Sequence, residues 1–338
     1  GEPVDVTIDY EGIPDGGEFT ALGLIRGWQA DDEDGWYTMS EPSGTSTWVP
    51  SSDHPSDKAT WTVTLDTPAN VEGISNGRLV SRERVGDRRH WRWESDQPMA
   101  SYLALAAVGR YDLVERDGPD GTKVLFAFTK TLSEEDRAAF DELDDMIEFF
   151  TDTFGPYPNQ DLGAIVVPAN LGLALETQTR PLFGRDGVSR GVVWALAHEL
   201  GHQWFGNAVS PATWQDLWLN EGFATYADWL YEAHVAGTDV YEVADMGSCC
   251  SSAVMSPVAA VTFGDPVYRG GARALQGLRE QVGDDDFFAI VRRWYADFGG
   301  GIASTDDFIA LAEDVTGDDL EPWAETWLHS DRQPELPG

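Results

Sequence analysis

Positive charge is scarce in this chain. Lys58, Lys123 and Lys130 are its only lysines, and 22 basic residues face 59 acidic ones across 338 positions, a formal net charge of −37. Such a surface is a poor partner for nucleic acid, whose binding relies on cations meeting phosphates. Repulsion among the carboxylates should weaken the compact state at low salt. Two settings fit this balance: the outside of a cell, slightly favoured here, or the cytoplasm of a salt-adapted organism. Cysteine is equally sparse. Cys249 and Cys250 are neighbours, with Cα atoms about 3.8 Å apart, closer than ordinary disulfides allow. Two separate thiols are therefore expected, and no disulfide framework marks an oxidising compartment. No apolar run reaches the ~18 residues of a membrane span. The chain begins Gly-Glu-Pro-Val, without a signal-peptide pattern, as a mature or trimmed form would.

What is present is globular. Hydrophobic residues make up 42% and aromatics 12%, enough for cores in about two domains. The first hundred or so residues read as β structure. Alternation at Val4–Tyr10 and Thr60–Leu65 predicts strands, and Leu79–Glu94 predicts a hairpin folded at Gly86-Asp87. Met99–Val108 reads as a buried strand. Beyond Tyr111 the pattern is mixed. Strands are predicted at Lys123–Thr129 and Leu162–Val167, with a helix between them that Ser133 opens and Gly155-Pro156 stops. Helical spacing follows at Gly191–Gly206, Leu217–His234, Arg269–Val282, Asp285–Phe298 and Thr305–Val315.

The chemistry concentrates in one stretch. His198 and His202, at i and i+4 on a helix, face the same side and can reach one metal ion. Glu199 lies between them, and Glu221 follows in Trp-Leu-Asn-Glu-Gly-Phe-Ala. Three ligands leave a fourth tetrahedral position open for water, as in a catalytic zinc site holding one Zn2+ ion. The apolar surroundings (Val192, Val193, Trp194, Leu196, Ala197) argue against incidental surface histidines. His54, His90, His234 and His329 have no ligand spacing, and the acidic runs at 31–34 and 284–286 lack the spacing of a calcium loop.

The run from His198 through Asn207, followed by Asp216 through Ala224, resembles the gluzincin aminopeptidases, the family of aminopeptidase N and leukotriene hydrolase. The resemblance implies an α+β architecture. Residues 1–110 would form an N-terminal all-β domain, a saddle-like sandwich entered partway and so incomplete. Residues 111–338 would form a thermolysin-like catalytic domain with a small mixed sheet and a mainly helical second half. The large helical C-terminal domain of many relatives would be absent. Metal ligands would be His198, His202 and Glu221, and Glu199 the general base. Gly172 through Glu176 is similar to the segment whose glutamate holds a substrate's α-ammonium, with Leu175 in place of Met and Thr177 in place of Asn. Ser40-Glu41-Pro42 is similar to the segment supplying a second amine-binding acid, Glu41. Tyr268 would stabilise the oxyanion, although Gly270 stands where a basic residue is common. The implied activity is zinc-dependent removal of N-terminal residues from peptides with a free N-terminus. A zinc endopeptidase of the same architecture and a non-catalytic zinc scaffold are the alternatives, and oligomeric state is not legible.

Overall fold

A computed structural model of the chain describes residues 4–14, 16–19, 24–31, 33, 35–188, 192–244, 249–250, 252–256 and 263–336. Its first third is β structure: β1 (Gly17–Phe19), β2 (Leu24–Ala30), β3 (Trp36–Met39), β4 (Lys58–Pro68), β5 (Glu72–Ser75), β6 (Arg78–Val85), β7 (Arg88–Ala100) and β8 (Ala106–Gly109). These strands form one sheet in the order β1-β2-β3-β8-β5 and a second in the order β4-β7-β6, and neighbours within both pair antiparallel. The expected hairpin is β6–β7, turning at Gly86, whose φ of 65° suits a residue without Cβ. Trp91 and Trp93 point from β7 into the interior. Their ring N–H groups donate to Thr67 Oγ1 and Gly73 O, each at 3.0 Å, so burying them strands no donor.

Two predicted strands and the cysteines come out differently. Val4–Tyr10 forms no strand, and Val4, Val6, Ile8 and Tyr10 are all exposed. Alternation needs a partner ladder to become a strand, and none reaches this segment among the described residues. Met99–Val108 is buried as expected, but a 3-10 turn at Ser101–Leu103 breaks it. That turn lets β7 end and β8 begin in the other sheet. Cys249 and Cys250 are joined as a vicinal disulfide.

The rest of the chain opens with a mixed sheet: β9 (Tyr111–Asp117), β10 (Lys123–Thr129), β11 (Asp161–Val167), β12 (Ala174–Leu175) and β13 (Leu182–Gly184), in the order β12-β13-β11-β10-β9. β10, β11 and β13 run parallel, and the outer strands antiparallel. Between β10 and β11 run α1 (Glu134–Ala138), capped by Ser133 accepting from Asp136 N, and α2 (Leu143–Phe154). Then come α3 (Arg185–Val188), α4 (Val192–Gly201), α5 (Trp218–Ala236), α6 (Val240–Ala244), α7 (Gly271–Val282), α8 (Asp284–Phe298), α9 (Thr305–Thr316) and α10 (Glu321–Ala324). A parallel two-strand bridge, β14 (Ser210–Pro211) with β15 (Ile302–Ala303), ties the loop after α4 to the α8–α9 connection.

The mixed sheet is buried on both faces, which explains why its strands read as nearly continuous apolar runs. Val124, Phe126, Phe128, Ala164 and Val166 face the helices. Their neighbours Leu125, Ala127, Ile165 and Val167 pack with Trp91, Trp93, Ile74 and Leu105 of the β region. Arg180, buried over the Trp93 ring at 4.9 Å, donates to the carbonyls of Ser75, Gly77 and Leu125. The β region and the helical region thus share a core. Among the described residues no helix is long and apolar enough to cross a membrane.

Candidate active site

α4 buries Val192, Leu196, Ala197 and Leu200 against the core, which turns His198 and Glu199 toward α5. His202 lies just past the helix end, its amide still bonded to His198 O at 3.2 Å. Two glycines allow the helices to close on this site. A Cβ on Gly201 would stand 2.8 Å from Ala227 Cβ, and one on Gly222 would stand 2.8 Å from Gly271 Cα. Real Cβ atoms do not tolerate such distances, so only glycine lets α5 approach both α4 and α7. The start of α5 is fixed by Asp216, which closes a capping box with Thr213 and accepts from Thr305 N and Oγ1, both at 2.9 Å.

These contacts bring His198, His202 and Glu221 into one triangle. The Nε2 atoms are 3.1 Å apart, and Glu221 Oε2 lies 3.4 Å from His198 Nε2 and 3.3 Å from His202 Nε2. Tetrahedral ligands at ~2.0–2.1 Å from one ion stand about 3.3–3.4 Å from each other, so the donor set fits zinc. His202 Nδ1 donates to Phe205 O at 3.2 Å, which leaves Nε2 as the lone-pair atom a metal requires.

Two more carboxylates converge on the same point. Glu176 follows β12 directly, and its backbone carbonyl accepts from Asn207 Nδ2 at 2.8 Å and Gln203 Nε2 at 3.4 Å. Gln203 Oε1 also accepts from Thr179 N at 2.9 Å. Glu41 arrives from the β region, just beyond β3. Ligand atoms of Glu41, Glu176 and Glu221 lie within 4.8 Å of one another, as do those of Glu176, Glu199 and His202. Tyr268 sits in a π-turn at Pro266–Gly270, its ring stacked on His198 with centroids 5.9 Å apart and planes 13° apart. Every residue picked out from the sequence is therefore in this one cluster.

Buried carboxylates crowd the site. Glu41 Oε1, Glu176 Oε1, Glu199 Oε2 and Glu221 Oε2 are all buried without a hydrogen-bond partner. Burial first, then the neighbouring carboxylates Glu176, Glu221 and Glu199, hold the Glu41 carboxyl well above the usual range. Burial likewise raises Glu176 and Glu199, against the pull of His202. Burial opposes charge on both His202 and Glu221 too, yet their pairing wins, raising the imidazole and lowering the carboxyl. His198 is lowered by burial. Burial and the surrounding carboxylates keep the Tyr268 phenol protonated, far above its usual pKa. A cavity of 590 Å³ at the junction of the two regions, between Pro98, Phe154, Arg292 and Tyr295, is lined by no carboxylate or imidazole.

Several residues of the site escape sequence inspection. Tyr102, from the 3-10 turn of the β region, is buried, and its hydroxyl accepts from Asn220 Nδ2 at 3.3 Å, beside Glu221. Gln203 and Asn207 lie inside the motif run, but their bonds to Glu176 depend on a segment well upstream. Only their polar side chains on a buried helix end could have signalled them.

The model of the peptidase family M1 domain matches residues 138–327, and that of the peptidase M1 N-terminal domain matches residues 2–103. Glutamyl aminopeptidase of Rattus norvegicus is 27% identical over 356 residues, covering 95% of this chain and 37% of its own length. Aminopeptidase M1-D of Oryza sativa subsp. japonica is 26% identical over 324 residues, covering 84% of this chain and 36% of its own. The chain thus spans little more than a third of the length of these curated relatives. A mutant M1 zinc metallopeptidase of Deinococcus radiodurans, solved with a Tyr-Ser-Ala substrate, superposes with a TM-score of 0.89 at 29% identity, covering 97% of this chain and 76% of that one. The chain belongs to peptidase family M1.

Proposed function

We propose that the chain is a zinc-dependent aminopeptidase that removes N-terminal residues from peptides carrying a free amine. The observation that carries this reading is the pairing of Glu41 with Glu176 beside the His198–His202–Glu221 triangle, each member of the pair with an unpartnered buried oxygen. Buried carboxylates without cations are costly. A divalent ion and one ammonium would offset three of the four carboxylate charges gathered here. The solved likeness to a zinc metallopeptidase with a bound tripeptide supports the same reading.

His198, His202 and Glu221 would hold one zinc ion, which supplies Lewis acidity that makes water acidic near neutrality and polarises a carbonyl. Glu199 does not belong to the ligand triangle, and its raised pKa suits a group that takes a proton from the attacking water and passes it to the leaving amine. The Tyr268 hydroxyl, kept protonated, donates to the oxyanion that forms at the scissile carbonyl. Glu41 and Glu176 accept from the α-ammonium, whose three donors can serve both. That grip fixes the distance from the amine to the reacting carbonyl and selects the first peptide bond.

The test is turnover of a panel of aminoacyl-7-amido-4-methylcoumarins. Hydrolysis should disappear with 1,10-phenanthroline and return on adding zinc to the dialysed protein. Hydrolysis that survives complete removal of metal would overturn the proposal.

A further inference from the structure

Lys58 is one of three lysines in the chain, and it is half-buried, with its ammonium turned inward. It opens β4 and pairs in register with Ala100 of β7. From there its Nζ crosses to the helical region and donates to the carbonyls of Asn207 and Ala208, both at 2.8 Å, and of Gly301 at 3.1 Å. Those acceptors use all three ammonium protons. Among the described residues its partners are backbone carbonyls rather than a carboxylate. Burial pulls the Lys58 pKa down to about 7, while the carbonyl dipoles aimed at Nζ favour the charged form. A surface lysine would avoid this desolvation, so the contact needs a reason.

Both ends of the contact lead to the amine site. On the helical side, Asn207 holds the Glu176 carbonyl through Nδ2 at 2.8 Å, and its own amide bonds to His202 O at 3.0 Å. On the β side, Ala100 runs into the 3-10 turn that carries Tyr102. In that turn Ser101 O accepts from Thr45 Oγ1 at 2.6 Å, tying in the segment that follows Glu41. Glu41 and Glu176 come from different regions, so the fit of their carboxylates depends on how the regions are keyed together.

We propose that Lys58 is a positioning residue whose ammonium keys the β region onto the Asn207 loop and thereby sets the spacing of Glu41 against Glu176. The inference rests on the reading of those two carboxylates as the amine-binding pair. Its effect belongs to substrate grip. His198, Glu199, Glu221 and Tyr268 sit on α4, α5 and the π-turn, where the glycine contacts at Gly201 and Gly222 hold the helices, and His202 is tied back to α4 by its amide on His198 O.

The experiment compares wild type with Lys58→Met, both as full chains loaded with zinc. With the best coumarin substrate, KM should rise about tenfold while kcat stays within about threefold, as for loss of uniform binding. One zinc per chain should remain. Competition by phenylalaninamide and by 3-phenylpropionamide isolates the amine. Wild type should prefer the former strongly, and the variant should lose about tenfold of that preference. Asn207→Ala should do the same, and the double variant should be less than additive. If Lys58→Met does not fold, Lys58→Gln carries the same comparisons. A variant that melts earlier with KM and inhibitor preference unchanged overturns the proposal, as does additivity with Asn207→Ala or loss of zinc. A wild-type enzyme that cleaves but ignores the amine overturns the amine-pair reading, and this inference with it.

Discussion

Replacing Glu176 by Gln should move activity and stability in opposite directions. The substitution keeps shape and the backbone bonds to Asn207 and Gln203, while removing one of the two charges offered to the α-ammonium. A hydrogen bond to a charged group contributes about 1.5–3 kcal/mol net. Lost attraction in a desolvated site adds to that, and Glu41 remains to soften the loss. A decrease of about 2–4 kcal/mol in transition-state binding corresponds to roughly 30- to 1000-fold in kcat/KM. In the metal-free protein the sign reverses. Burial outweighs the pull of His202 and, with the nearby Glu221, makes an ionised Glu176 unfavourable. A neutral amide removes that penalty, and a gain of about 1–2 kcal/mol would raise Tm by roughly 1–3 °C. The assays are steady-state hydrolysis of a free-amine coumarin substrate and thermal melts of chelated protein at constant salt. A Glu176→Gln enzyme with kcat/KM within threefold of wild type would refute the reasoning, and so would a fall in the metal-free Tm.

Glu199→Gln should retain one zinc by elemental analysis but lose about 10²–10⁴ in kcat; full turnover in the zinc-loaded variant would contradict the base assignment. Tyr268→Phe should lower kcat by about 10²–10³ with little change in KM, and an unchanged kcat would leave the tyrosine as packing against His198. Asp228→Asn reports on a carboxyl outside the catalytic set. Burial first, then Glu232, raises Asp228 from 3.8 to about 7, and its Oδ1 has no partner. A carboxyl whose folded pKa is raised stabilises the fold below its unfolded pKa, and that stability is lost as pH rises through about 7. The Asn variant should therefore melt like wild type at low pH and be more stable by about 1–3 kcal/mol above neutrality. Melts across the pH range check it, and equal stability at every pH would contradict it.

Local patterns were legible, and contacts across the chain were not. His198 and His202 are readable because helix geometry alone places i and i+4 on one face, and Phe140, Leu143, Ile147, Phe150 and Phe154 repeat at helical spacing too. Lys123–Thr129 and Leu162–Val167 were readable as strands because both faces meet a core. Lys58 and Tyr102 looked ordinary because their partners, Asn207 and Asn220, lie more than a hundred positions away. Nothing near Lys58 in sequence announces three carbonyls waiting in another region. Val4–Tyr10 misled for the converse reason: its alternation is a strand pattern without a strand to pair with. The break at Ser101–Leu103 was hidden because a mostly apolar stretch looks the same whether it continues in one sheet or crosses to another. Asn207 was in view within the motif run, but its service to Glu176 exists only once the β12 segment packs against the end of α4.

Selection of the first peptide bond by the Glu41–Glu176 pair can be measured directly on one peptide prepared in two forms. The zinc-loaded protein is incubated with an unstructured decapeptide bearing either a free or an acetylated N-terminus, and the products are followed by mass spectrometry. The free form should lose single residues in succession from its N-terminus, and the acetylated form should stay intact. Internal cuts, or equal consumption of the two forms, would contradict an amine-gripping site and point to an endopeptidase built on the same metal triangle.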